Sequence, residues 1–174
     1  MREEELELAD RLVRIFENVL FTEEKSIQQG YFSDLSIAEM HTLDAIGSYE
    51  ARTMSETAAA LGITTGTLTV SIDRLVKKGY VIRNRDEKDR RVVRIRLTRE
   101  GKLASRMHGK YHKVLARHIL EPYTKEEQDL LLGMVRELDV YLEAQASRYN
   151  GSESVRKTAK EVADKIRRRE NDDG

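Results

Sequence analysis

His108 and His112 stand four residues apart in a stretch that reads as one long helix, a spacing at which both imidazoles can meet a single metal ion. The other readings of the pair are a polar, hydrogen-bonded cluster at the mouth of a pocket, or a docking surface for a partner protein. A second set of residues suits a different chemistry. Thr67, Val70, Ser71 and Arg74 recur on the outward face of a short helix. Hydroxyls there fit base edges or phosphate, a valine fits a thymine methyl, and an arginine fits guanine or phosphate. Thr65 and Thr69 flank that face and suit backbone positioning. Further on, Asp89 precedes Arg90 and Arg91 at a turn. Arg90 is placed to enter a minor groove, with Arg91 beside it or tied to Asp89. Nothing points to an enzyme. The sequence has no cysteine, no phosphate-loop pattern and no nucleophile elbow.

The elements that must position these residues run from Thr53 to Leu97. Thr53-Met54-Ser55-Glu56 is a capping box, in which the threonine and glutamate side chains each satisfy an orphan amide of the other's residue. Ala58, Ala59 and Leu61 follow in a small, closely packing helix that stops at Gly62. A second helix spans about Thr65 to Lys78 and is closed by Gly79, with Leu68, Ile72, Leu75 and Val76 on its inner face. Tyr80 to Arg85, a turn over Asp86 to Asp89, and Arg90 to Leu97 then make a hairpin. Val93, Ile95 and Leu97 alternate with Arg94 and Arg96, the period of a half-buried strand. Two short helices followed by a cationic hairpin define a winged helix-turn-helix. Its second helix is expected in a major groove and its hairpin in a neighbouring minor groove. The runner-up from another class is a protein-interaction module that does not bind DNA.

Flanking segments are helical. Glu3 to about Lys25 places Leu6, Leu12, Val13, Phe16, Val19 and Leu20 on one side. Ser26 to Leu35 reads as a loop, and Ser36-Ile37-Ala38-Glu39 is another capping box that opens a helix ending at Gly47. Beyond the wing, Thr98 caps a long helix to about Leu120, with Leu103, Met107, Tyr111, Val114 and Leu115 as a stripe. After Pro122, Thr124 caps a last long helix with Leu131, Met134, Leu138, Tyr141 and Leu142. The fold expected is mostly α with a small β-hairpin wing. Residues 1–30 form the first helix of a dimerisation region, 36–98 the winged domain, and 99–147 the C-terminal dimerisation helices. A charged tail covers 148–174, with a weak stripe at Val155, Ala159, Val162 and Ile166 and an arginine run at 167–169. The long helices offer more apolar face than one small chain covers, so a homodimer is expected over a monomeric helical core.

Of 174 residues, 39% are hydrophobic and 36% charged, and the formal net charge is zero. That zero hides a division. Gly66 to His118 holds 16 Lys and Arg against 5 Asp and Glu, Met1 to Gln29 holds 4 against 8, and Ile119 to Ser147 holds 2 against 7. Phosphate responds to the local field within a Debye length, so the basic middle supports a nucleic-acid partner. No apolar run is long enough to span a membrane, and Met1 leads directly into Arg2-Glu3-Glu4-Glu5 without a signal peptide. A cytoplasmic protein without a membrane partner is the expectation.

Asp89-Arg90-Arg91 at the wing tip, and Leu97-Thr98-Arg99-Glu100-Gly101 entering the next helix, resemble motifs of the MarR family of bacterial regulators. The match covers roughly residues 3–145. Within that family, the stretches from Leu35 to Thr42, Thr64 to Thr69, Lys78 to Tyr80, Asp89 to Val93 and His108 to Lys113 are similar to its repressors of fatty-acid synthesis genes. Those relatives end soon after their sixth helix, so the tail beyond Ser147 is a departure. The resemblance implies a homodimer on a palindromic operator in double-stranded DNA, with a long-chain acyl group on acyl carrier protein strengthening repression. No cofactor is required on this reading. The acyl chain would enter an apolar space near Phe16, Leu20, Met40, Leu103 and Met107, with His41 and His108 at its mouth. Glu24, His41, His108 and His112 also line up with the ligands of a zinc-responsive member of the family. Zinc or a small molecule is therefore the alternative effector.

Overall fold

Serine and threonine caps set where the helices begin. A computed structural model describes residues 2–86 and 89–150. Its elements are α1 (Glu3–Gln28), α2 (Ile37–Ile46), β1 (Arg52–Thr53), α3 (Met54–Ala60), α4 (Thr65–Lys77), β2 (Val81–Arg85), β3 (Val93–Leu97), α5 (Arg99–Leu120) and α6 (Lys125–Asn150). Ser36 and Thr53 form the expected capping boxes with Glu39 and Glu56. Thr124 and Glu127 exchange the same pair of bonds at 3.3 and 2.8 Å. Gly79 closes α4 at φ +83°, a conformation that costs a residue bearing a Cβ. The tail stripe at Val155, Ala159, Val162 and Ile166 and the arginines at 167–169 lie outside the described residues. Among the described residues no helix is long and apolar enough to cross a membrane.

The wing is a three-stranded antiparallel sheet in the order β1-β3-β2, with Arg83 opposite Ile95 and Val81 opposite Leu97. β1 is a finding beyond the expected hairpin, since its two residues carry no periodicity of their own. Arg52 and Thr53 pair with Ile95 and Arg94. β3 starts at Val93 because residues 90 and 91 belong to the turn, and Tyr80 falls outside β2. Beneath the sheet, Leu43 and Ile46 from α2, Leu68, Ile72 and Leu75 from α4, and Ile95 are each at most 1% exposed. Each such side chain contributes about 1.5–3 kcal/mol of transfer free energy. Val76, expected beside them, is 40% exposed.

Two compact units divide the chain, with the boundary after Ala116 inside α5. In the first, α5 is seated by small residues. A Cβ on Gly101 would lie 2.2 Å from the Tyr80 carbonyl oxygen, so only glycine permits this approach. Thr98 fixes the same corner, donating to the Gly79 carbonyl at 2.8 Å and accepting the Gly101 amide at 3.1 Å. The buried face of α5 is Gly101, Ala104 and His108 rather than its large apolar residues. α1 runs one turn past its expected end, and only Glu23 and Ile27 on it are buried. Its expected stripe stays open, with Val13, Phe16 and Leu20 more than half exposed. In the second unit, α6 has no buried side chain among its described residues.

Candidate nucleic-acid interface and adjoining cavity

α4 begins at Thr64, whose hydroxyl accepts the Thr67 amide at 3.1 Å. Thr65, Thr67, Thr69, Val70 and Arg74 are exposed along it, and Thr69 donates to the Thr65 carbonyl at 2.8 Å. Ser71 departs from expectation. It is half-buried and its hydroxyl lies 3.2 Å from Thr42 Oγ1 on α2. Thr42 spends its own proton on the Ala38 carbonyl at 2.7 Å, so Ser71 is the donor. Ser71 therefore ties α4 to α2 instead of projecting outward.

The wing sorts its arginines by partner. Arg83 pairs with Asp73 of α4 at 2.8 Å, which fixes the sheet to the recognition helix. Arg94 is bound by Asp86, whose other oxygen accepts the Asp89 amide at 3.1 Å. Asp89 in turn takes the backbone amide of Arg91 at 2.9 Å, leaving the Arg91 guanidinium out of that contact. Arg90 and Arg91 are exposed at the turn. A carboxylate scaffold thus shapes the tip and leaves those two cations facing solvent, where phosphate or a narrow groove can attract them.

Between α1, α2 and α5 lies a polar cluster. Glu23 Oε1 is 2.8 Å from His41 Nε2 and 2.7 Å from His108 Nε2. Asp44 Oδ2 is 2.6 Å from His108 Nδ1, and Ser105 donates to the other Asp44 oxygen at 2.6 Å. His112 Nε2 is 3.2 Å from His108 Nε2 and 3.5 Å from Glu23 Oε1. Glu23 and His108 are nearly fully buried, while His41 and His112 are half-open. The Asp44 hydrogen bond lifts the His108 pKa above the ordinary imidazole range against the opposing effect of burial, and Glu23 adds to the lift. Burial pushes the Glu23 carboxyl up, but hydrogen bonds and charge from His41 and His108 outweigh it and hold it below the usual range.

Here the expected carboxylate is corrected. Glu24, the anticipated partner of His41, His108 and His112, is exposed and accepts from Gln28 at 2.9 Å. Glu23 takes its place because one residue turns a helical side chain by about 100°. Glu23, His41 and His108 each offer a donor atom within 4.8 Å of the others. A tetrahedral ion with bonds of about 2.0–2.1 Å sets its donors about 3.3 Å apart, close to the separations already present. Asp44 orients the far nitrogen of His108, as carboxylates do behind histidine ligands.

The cluster closes one end of a cavity of about 300 Å³ lined by Met40, Leu103, Met107 and His108, together with Ile27 and Phe32. Tyr111 also lines it and bonds Thr22 at 2.9 Å. Phe16, Leu20 and His41 are not on its wall. The first two sit on the open part of α1, 54% and 56% exposed, too far toward the N-terminus to reach it. Ile27 lies in the last turn of α1, which the sequence reads as loop, Phe32 lies in the turn after that helix, and Glu23 lies within the expected helix but off its apolar stripe.

Comparison with known proteins agrees with this architecture. The MarR family model matches residues 33–92. Streptococcus pneumoniae FabT, solved in complex with DNA, is 38% identical with a TM-score of 0.76, covering 80% of this chain and 98% of that one. Bacillus subtilis YetL, an HTH-type transcriptional repressor, is 34% identical over 86 residues, 48% of this chain and half of YetL's length. Bacillus subtilis YkoM, an HTH-type transcriptional regulator, is 24% identical over 80% of this chain and 91% of its own. The chain belongs to the MarR family. The family and these relatives are transcriptional regulators, not enzymes.

Proposed function

We propose that the protein is a cytoplasmic transcriptional repressor that binds a palindromic operator as a homodimer. The observation that carries this reading is the pairing of an exposed α4 face (Thr67, Val70, Arg74) with a wing that Asp73 and Arg83 hold in place and that presents Arg90 and Arg91. α1 and α6 each leave apolar residues uncovered, among them Phe16, Leu20, Met134 and Tyr141, which supports association with a second copy. The regulated genes are those of fatty-acid and membrane-lipid synthesis, and a long-chain acyl group on acyl carrier protein is the corepressor. The likeness to FabT and the apolar wall of the cavity support that choice.

A second reading has its own observation. Three imidazoles converge on the Glu23 carboxylate, a donor set that suits zinc. Glu23, His41, His108 and His112 would then hold the ion, which would supply a fixed positive charge linking α1, α2 and α5.

Operator affinity at fixed salt, with chelator-treated protein, separates the two. Tightening only with long-chain acyl carrier protein supports the lipid reading; tightening only with zinc replaces it. Arg90→Ala is expected to weaken operator binding and lower the log–log salt slope by about one. An unchanged slope would remove Arg90 from the interface. Weak, salt-insensitive binding to every duplex would instead favour a protein-interaction module.

A further inference from the structure

Arg99, Lys102, Arg106, Lys110 and Lys113 recur along α5 at intervals of three and four residues, which aligns them on one face over about 21 Å. All five are exposed. No carboxylate among the described residues is ion-paired with any of them. At the row's start, Arg99, Lys102 and Arg106 join Arg96 of β3 around a groove of about 530 Å³ that Tyr49 and Ile82 also line. Such a row costs self-repulsion and contributes nothing to the core. Like charges at this spacing destabilise a helix slightly, so the row is unexplained by folding.

Position limits what the row can meet. No α4 side chain lines the groove, so the row is separate from Thr67, Val70 and Arg74. It does share α5 with the cavity. Leu103 lies four residues after Arg99 and three before Arg106, and Met107 lies three before Lys110. Side chains at those intervals are neighbours on a helix surface. A partner resting on the cations therefore stands one side-chain width from the residues that line the cavity.

We propose that this α5 row, with Arg96 and the Tyr49 groove, is the docking surface for an acidic protein that delivers its apolar ligand into the adjoining cavity. The proposal rests on the effector reading above and names the surface that reading requires. The acidic face of acyl carrier protein pairs with the row, and its acyl chain passes over Leu103 and Met107.

The test uses full-length protein and three probes: long-chain acyl carrier protein, the same chain as free fatty acid, and operator duplex. Lys102→Glu with Arg106→Glu is expected to weaken carrier-protein binding by about tenfold or more and to flatten its salt dependence. Free fatty-acid binding, basal duplex affinity and melting temperature should stay as in the wild type. Lys102→Gln with Arg106→Gln should give a smaller loss in the same direction. Unchanged carrier-protein affinity in both variants would overturn the docking surface while leaving the effector reading intact. A parallel fall in duplex affinity would reassign the row to DNA phosphate. Failure of the wild type to bind acyl carrier protein would overturn the effector reading and this proposal with it.

Discussion

Two buried carboxylates in the first unit are held in opposite ways. Glu39 accepts the Ser36 amide at 2.9 Å and the Lys78 ammonium at 2.7 Å. Its neighbours are a backbone amide and a lysine ammonium. Glu23 accepts from two imidazoles, with a third close by. An imidazole, unlike an ammonium, can also bind a metal ion through a ring nitrogen. The first arrangement has one state. The second can take more than one, and it adjoins the cavity that Glu23 and His108 help to line.

The largest expected effect breaks one side of that contrast alone. Gly101→Ala would drive a methyl to 2.2 Å from the Tyr80 carbonyl oxygen, lifting α5 and carrying His108 away from Glu23. A loss of about 3 kcal/mol in urea unfolding is expected, with the Glu39–Lys78 pair intact. A variant as stable as the wild type would mean that α5 docks through other contacts. Next comes Lys78→Met, which strands Glu39. The expected cost is about 2–3 kcal/mol, below the figure for a fully buried pair because Lys78 is 30% exposed. Burial raises the Glu39 pKa, yet the Lys78 and Ser36 contacts outweigh it and leave it lowered. The contribution of Glu39 is therefore complete above its ordinary value of 4.5 and is lost as pH falls through the lower folded value. The Lys78→Met deficit should shrink over that acid range, and a deficit constant with pH would deny the pairing its role.

Glu23→Gln is smaller, about 1–2 kcal/mol, and sharpens the contrast most. Glu24→Gln should leave stability unchanged, since Glu24 is exposed and among the described residues bonds only Gln28 of its own helix. If zinc is the effector, it raises the melting temperature of wild type and Glu24→Gln but not of Glu23→Gln. Equal responses in the two variants would move the site away from the histidines.

Local motifs made much of this legible in the sequence. The Ser36 and Thr53 boxes, the Gly79 stop and the alternation from Val93 to Leu97 are short-range signals, and each stands where expected. Errors came where one side chain's direction mattered. Glu23 and Glu24 differ by about 100° on α1, and the apolar stripe of that helix gave no sign that only its last turns would be buried. Ser71 looked outward until the position of Thr42 was known. β1 is two residues long and exists only because β3 offers it a partner. The basic row on α5 passed unread among the charges of the whole basic middle, because its meaning depends on the groove that β3 and Tyr49 build beside it.

The hydroxyl contact between Ser71 and Thr42 has a thermodynamic consequence. α2 carries Met40 on the cavity wall and Thr42 against α4, so on the proposed function the seat of one helix would enter both binding equilibria. An effector that favours one seat changes operator affinity only by its preference between the two. Linkage then requires the operator to change the effector's affinity by the same factor. On the proposed reading, the DNA would be as much a ligand of the cavity as the effector would be a ligand of the DNA-reading face.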